Sequence, residues 1–194
     1  MARPHKTDLK ERIVKAAENK FFRFGFHKVS IDEIVAEAKT SKAAVYRFYS
    51  SKEELVETVL NKLNDHINQN IGQIVNNSSI TFQNKLEKII EFTSGLFQRI
   101  NKTFLDDLHN HTPTLQMEYQ KMRLNRINTY YKKLFSEGIK NGIIRNDIPL
   151  NFMLYYYSKI TELAVYPTDE DLSKYTPKKI YQYLSRLFYE GTKG

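Results

Sequence analysis

The segment SKAAVYRFYSSKEEL, residues 41–55, combines hydrogen-bond donors with small side chains at helical spacing. Lys42 and Arg47 can donate to guanine acceptors or to phosphate oxygens, and alanine methyl groups can lie against thymine methyls. Val45 and Tyr49 are four residues apart and would pack inward from the same helix. The chemistry that fits this pattern is contact with duplex DNA.

A second set of reactive side chains lies between residues 106 and 118. Carboxylates and imidazoles of this kind can bind a metal ion. Histidines two residues apart do not share a helix face, and the segment reads as a junction between helices, so we expect no metal, no cofactor and no catalytic residue. A helical metal-dependent enzyme that uses this cluster is kept as the weaker alternative. Its members are Asp106, Asp107, His109, His111 and Glu118.

Composition limits the class of protein. The chain has 194 residues, of which 41% are hydrophobic, no cysteine, and a net charge of +8. Residues 1–28 hold 8 basic and 3 acidic side chains, a balance of +5, so positive charge is concentrated at one end. A basic protein without a disulfide framework, a signal peptide or an apolar run long enough to span a bilayer is expected in the cytoplasm with a polyanionic partner. A lysine-rich surface that only keeps the protein in solution is the simpler interpretation of the same charge.

The elements around the first segment are predicted from caps. A helical stripe from Leu9 ends at Gly25, and SIDE, residues 30–33, is a capping box that begins a helix of about two turns. Ser41 is placed to cap a third short helix. SKEE, residues 51–54, repeats the capping box and begins a much longer helix, which we expect to end near Gly72.

The rest of the chain has the period of a helix, without the alternation of strands. Threonine-proline pairs at 112–113 and 176–177 predict two further helix starts. The predicted fold is all-α, with an N-terminal three-helix helix-turn-helix domain over residues 1–52. A long helix joins it to a larger helical-bundle domain over residues 53–194.

Residues 9–55 resemble the N-terminal domain of the TetR family of bacterial transcriptional regulators. The runs that carry the resemblance are IVKAAENKFFRFGF, residues 13–26, then SIDEIV, then SKAAVYRFYSSKEEL. The resemblance implies that the helix after Ser41 contacts DNA bases, and that Ser30 and Lys52 contact phosphates. The implied recognition residues are Ser41, Lys42, Ala43, Ala44, Tyr46 and Arg47, and the implied core residues are Phe21, Ile34, Val45 and Tyr49.

Four positions depart from the family pattern, Val35, Lys39, Thr40 and Phe48, and two of these departures have a physical consequence. Lys39 stands in the turn where the family usually has glycine, which would cost about 1 kcal/mol if the backbone there is left-handed. Phe48 replaces a polar residue that touches phosphate in the family, so one backbone contact to DNA would be lost. The change at Phe48 does not affect the expected fold, whereas Lys39 bears on the geometry of the turn more than on the function.

For the remaining helices the resemblance implies a domain that binds a small-molecule effector and forms a homodimer. We expect a ligand-responsive repressor that binds a palindromic operator as a dimer and is released by its inducer. The implied dimer residues are Ile160, Leu184, Leu187 and Phe188. The tyrosines at helical positions suggest an aromatic effector pocket formed by Tyr119, Tyr130, Tyr155 and Tyr156. A basic helical interaction module that does not read DNA sequence is the other alternative.

Overall fold

The computed structural model describes residues 6–110, 113–166, 172 and 174–194, and it is helical throughout. The prediction of an all-α fold is confirmed, since these residues contain an isolated bridge between Ile144 and Lys193 but no strand. None of their helices is both long and apolar enough to cross a bilayer. The helices are α1 Lys6–Phe24, α2 Ile31–Ala38, α3 Lys42–Tyr46, α4 Lys52–Asn76, α5 Phe82–Arg99, α6 Lys102–Asn110, α7 Pro113–Arg126, α8 Lys132–Lys140, α9 Leu150–Val165 and α10 Pro177–Thr192.

The N-terminal caps form as the sequence predicts, with one shift. Ser30 and Glu33 make a complete capping box at α2, and Thr176 accepts from the Lys179 amide at the start of α10. At α4 the Ser51 hydroxyl accepts from the Glu54 amide, but the Glu54 carboxylate accepts from the amide and hydroxyl of Ser50. The carboxylate of Glu54 therefore contacts Ser50, whereas the predicted capping box would have it contact Ser51. Thr112, the other predicted cap, lies outside the described residues.

The expectation that α4 ends near Gly72 is wrong. The helix continues to Asn76, because Gly72 serves packing and not termination. A Cβ atom at Gly72 would lie 3.0 Å from Cε1 of Tyr130, so glycine leaves room for the tyrosine ring.

A π-helical turn over Ile127–Tyr131 joins α7 to α8. The spacing of apolar residues in the sequence did not indicate this turn.

The described chain forms two compact units. The first contains the described residues of Met1–Asp65 together with Arg99–Gln116, and the second contains those of His66–Gln98 and Met117–Gly194. In the first unit α6 packs on α1 although the two are far apart in sequence. The functional boundary after residue 52 stays a prediction.

The first unit has an apolar core under α1, α2 and α3. The four residues expected there, Phe21, Ile34, Val45 and Tyr49, are all buried. Glu18 is buried beside them and pairs with three cations. Its carboxylate lies 3.0 Å from Nζ of Lys62, 3.1 Å from Nη2 of Arg99 and 3.4 Å from Nζ of Lys15. Burial opposes the charge of Glu18, but the hydrogen bonds and charges of Lys62 and Lys15 outweigh it and lower the pKa.

The turn between α2 and α3 has a left-handed residue. Lys39 has φ 49° and ψ 55°, the conformation in which the family pattern has glycine. The guanidinium of Arg12, on α1, donates to the carbonyl oxygens of Ala38 and Lys39. This long-range contact satisfies the last carbonyls of α2 and fixes the turn, at the cost of a strained side-chain-bearing residue.

We predict that Lys39→Gly stabilises the protein by about 1 kcal/mol, because glycine adopts a left-handed conformation without steric cost. Thermal unfolding followed by circular dichroism measures the change, expected to be an increase in Tm of a few degrees. Lys39→Ala is the control, since it removes the charge and keeps the strain. An equal stabilisation by alanine would contradict the backbone explanation.

We predict that Glu18→Gln destabilises the protein by about 1–3 kcal/mol at pH 7, since it removes a charged acceptor from three donors. Because the folded-state pKa of Glu18 is lowered, its contribution is present above the ordinary value of 4.5 and is lost as the pH falls through the folded value. Urea unfolding at pH 7 and below pH 4.5 should show the difference between variant and wild type shrinking in acid. Glu11→Gln, at an exposed position of the same helix, should have little effect at either pH.

Candidate nucleic-acid interface

Helix α3 presents one face to solvent and one to the core. The Ser41 hydroxyl accepts from the Ala44 amide at 3.2 Å and begins the helix. Val45 and Tyr49 are buried, which orients the opposite face outward. The predicted recognition residues on that face are all exposed except Ala44, which is half-buried. They are Ser41, Lys42, Ala43, Ala44, Tyr46 and Arg47.

Two of the exposed side chains have partners on the protein. Nζ of Lys42 lies 3.1 Å from Oδ1 of Asp32, an exposed carboxylate on α2. The Arg47 guanidinium lies 5.1 Å from the centre of the Phe48 ring, a cation–π contact that extends the arginine along the surface. Both contacts are exposed and therefore weak, so either cation can exchange its partner for DNA.

The donors of Ser30 are already used within the capping box. Its amide and its hydroxyl donate to Oε2 of Glu33 at 2.8 and 2.9 Å, and these hydrogen bonds lower the pKa of Glu33. The hydroxyl also accepts from the Glu33 amide. Ser30 thus begins α2, and a phosphate would have to replace the Glu33 carboxylate to reach its donors.

Lys52 has a structural role that the sequence did not indicate. Its ammonium donates to the carbonyl oxygens of His27 and Val29, each at 3.2 Å. Asp107, on α6, accepts from the amide of His27 at 2.8 Å. Lys52 and Asp107 therefore hold the same turn, the one that leads into α2. No local pattern could have found Asp107, which is 80 residues from its partner.

The acidic and histidine cluster spans the end of α6 and the start of α7, as expected of a segment between helices. Asp106, Asp107 and His109 lie on α6, and Glu118 lies on α7, while His111 lies outside the described residues. Asp107 is buried in the first unit. His109 is hydrogen-bonded to Gln116 at 2.9 Å. Within residues 6–110, 113–166, 172 and 174–194, no three histidines or carboxylates are placed to hold a metal ion.

The four tyrosines proposed for an effector pocket have different environments. Tyr155 and Tyr156 are exposed on α9. Tyr130 is half-buried against Gly72, and Tyr119 is half-buried on α7. Tyr155 borders a groove of about 500 Å³ between α7 and α9, whose walls include Leu124, Ile127, Leu150 and Leu154. The volume suits a small molecule.

A different set of tyrosines forms the core of the second unit. Tyr131 and Tyr157 are buried with Tyr181, and the hydroxyls of Tyr157 and Tyr181 are 3.5 Å apart. Phe135 and Phe188 stack against this group, 5.4 Å between ring centres. Burial raises the pKa of Tyr131 and of Tyr157 well above the ordinary tyrosine value, so both stay protonated. These residues follow the predicted Tyr130 and Tyr156 by one position, which places them on the inner face of each helix.

Helices α9 and α10 pack on each other and leave an apolar face exposed. Of the four predicted dimer residues, Leu187 is 70% exposed and Leu184 is half-buried, while Ile160 and Phe188 are buried in the protomer. Further large apolar side chains are exposed on the same two helices. We refer to the outer face as the α9–α10 face; it contains Phe152, Tyr156, Tyr183 and Leu187.

The comparisons with known proteins agree with this geometry. The family model for bacterial regulatory proteins of the tetR family matches residues 13–59. YhgD, an uncharacterized HTH-type transcriptional regulator of Bacillus subtilis, is 29% identical over 142 residues, which are 71% of this chain and 73% of the relative. The HTH-type transcriptional repressor SCO4008 of Streptomyces coelicolor is 25% identical over 158 residues, 80% of this chain and 78% of the relative.

A solved structure has the same fold over most of the chain. The reduced form of E. coli NemR matches with a TM-score of 0.76, over 96% of this chain and 97% of that chain. At 11% sequence identity this likeness shows the fold alone. The family model, the relatives and the fold together identify the chain as a TetR-family transcriptional regulator with a helix-turn-helix DNA-binding domain at its N-terminal end.

Proposed function

We propose that this protein is a ligand-responsive repressor that binds a palindromic operator as a homodimer and is released by a small-molecule inducer. Family membership covers DNA binding by a helix-turn-helix domain. We add to it repression in the bacterial cytoplasm, a palindromic binding site and release by an inducer. The observation that carries the proposal is the outward face of α3, where Lys42, Tyr46 and Arg47 surround the exposed Ala43. Such a helix fits the major groove, which a flat basic surface would not.

We assign different roles in DNA binding to the basic side chains. Arg47 and Lys42 read base edges, because they lie on the exposed face of α3 with partners that solvent screens. Lys52 supports the turn before α2 and contributes its charge to phosphate binding. Ser30 contributes chiefly through the cap of α2. The recognition residues of two protomers would lie about 34 Å apart on an inverted repeat, one turn of DNA.

We predict that Arg47→Ala and Lys42→Ala change which bases the protein prefers. Each should weaken binding to the preferred duplex by roughly tenfold to a hundredfold and relax the preference at one or two positions. Selection from a random duplex pool, followed by sequencing, gives the preferred site, and fluorescence anisotropy then gives the affinities. The wild type should enrich an inverted repeat.

The matched control is Lys88→Ala, which removes one positive charge from an exposed position of α5 in the second unit. It should leave the enriched sequence unchanged. Enrichment of no sequence by the wild type, with weak and salt-dependent binding to any duplex, would favour the basic interaction module instead.

The proposed dimer uses the α9–α10 face. Phe152 and Tyr156 are four residues apart on α9, as are Tyr183 and Leu187 on α10, so each pair shares one side of its helix. Exposed aromatic and aliphatic side chains on two packed helices are typical of the centre of a protein interface. Ile160 and Phe188 are buried in the protomer, and we assign them to the support of this face from the core.

We predict that Leu187→Glu converts the dimer to a monomer. A charge at the centre of an apolar interface would be buried without a partner, while the same charge on the surface of a protomer is tolerated. Light scattering should give half the mass of the wild type, with unchanged helicity and an operator affinity at least tenfold weaker. Leu124→Glu, at an exposed position of α7, should remain dimeric. A dimeric Leu187→Glu protein would contradict the assignment.

The effector is proposed to bind the second unit, with the groove beside Tyr155 as its first candidate site. Leu124, Ile127 and Leu154 give the groove an apolar wall, and Lys132 gives it a cation. This combination favours an amphipathic molecule. The metal-dependent enzyme considered above is ruled out, since TetR-family proteins are regulators and not enzymes.

A further inference from the structure

We propose that Asp107 is a positioning residue for DNA binding, which acts by holding the turn from Gly25 to Val29 that leads into α2. The inference rests on the proposed function, because its effect is on sequence-specific binding. It assigns a role to a carboxylate of α6 that lies outside the helix-turn-helix sequence.

The turn is held at His27 by two opposite charges. Oδ2 of Asp107 accepts from the His27 amide at 2.8 Å, and the Lys52 ammonium donates to the His27 carbonyl oxygen at 3.2 Å. Lys52 also donates to the carbonyl oxygen of Val29. The carboxylate meets a donor and the ammonium meets two acceptors, so each ion is matched to the backbone dipole it contacts. Asp107 is 5% exposed, which shields its hydrogen bond from water.

Gly25 makes room for this carboxylate. Its φ of +80° is unfavourable for other residues, and a Cβ atom there would overlap Oδ2 of Asp107 and lie 2.9 Å from Cγ2 of Thr103. The glycine that ends α1 therefore also allows α6 to approach the turn closely. The requirement for glycine at this position has two causes, one in the backbone and one in the contact with α6.

Helix α6 is itself fixed to α1. The Asn101 amide donates to the carbonyl oxygen of Phe22 at 2.8 Å. Phe104 is fully buried, with its ring centre 5.1 Å from that of Phe22 and 5.7 Å from that of Phe26. Asn101 directly precedes α6, and Phe104 and Asp107, three residues apart, lie on the same side of it. Asp107 is thus held by a rigid support, which a loop residue would lack.

The position of the turn determines where α2 begins. Val29 is buried directly before the cap residue Ser30, and α2 packs against α3. A displaced turn would move α2 and with it the face of α3 that meets DNA. Loss of the hydrogen bond should therefore reduce specific binding, whereas non-specific attraction to phosphates depends on charges that remain in place.

The test compares Asp107→Ala, Asp107→Asn and, as matched control, Asp106→Ala, which removes the neighbouring, half-buried carboxylate that pairs with Lys102. Affinities are measured for the duplex that the wild type selects and for an unrelated duplex, at a temperature where circular dichroism shows each variant fully folded. Asp107→Ala should lose at least tenfold in specific affinity and less than twofold in non-specific affinity. Asp107→Asn keeps an acceptor oxygen and should stay within threefold of wild type, as should Asp106→Ala.

An unchanged ratio of specific to non-specific affinity in folded Asp107→Ala would overturn the inference, since a residue that only stabilises the fold would leave this ratio alone. A second measurement does not depend on the variant folding: hydrogen exchange of the His27 amide in the wild-type protein. Strong protection is expected, and exchange at the rate of an open turn would also overturn the inference. If the wild type selects no duplex, the proposed function fails, while the exchange experiment still tests the hydrogen bond.

Discussion

The DNA-facing surface of this protein depends on holding in place a helix too short to be stable alone. Helix α3 has five residues, Lys42–Tyr46, far fewer than an isolated helix needs in water. Its shape is imposed by burial of Val45 and Tyr49 in the first unit and by the Ser41 cap. The exposed face of α3 can therefore carry polar and small side chains without loss of the helix, because packing on the inner face stabilises it.

Charged residues from outside the helix-turn-helix motif fix the turns on either side of α2. Arg12 donates to the last carbonyls of α2, while Lys52 and Asp107 hold the backbone of His27. The basic balance of the N-terminal end thus has two uses, contact with a polyanion and support of the backbone. Counting positive side chains overstates the number available to DNA, since Lys52 has partners on the protein itself.

Local features were predictable because their causes lie within a few residues. Ser30 followed by Glu33 three residues later is enough to predict the start of α2. The four-residue spacing of Val45 and Tyr49 predicts that Val45 is buried, as it is. Gly72 was misinterpreted because its neighbour Tyr130 comes from a distant helix. The contact of Asp107 with the turn was missed for the same reason. The choice of Tyr157 over its neighbours as the core tyrosine depends on helix packing that spacing cannot resolve.

We infer that α3 is preorganised by the protein and does not fold upon meeting DNA. Amide hydrogen exchange of residues 42–49 in the free protein, read at single-residue resolution, tests it most directly. Protection similar to that of α2 is expected before any duplex is added. Exchange at the rate of an unstructured chain, with protection appearing only in the complex, would contradict it and make α3 a segment that folds on binding.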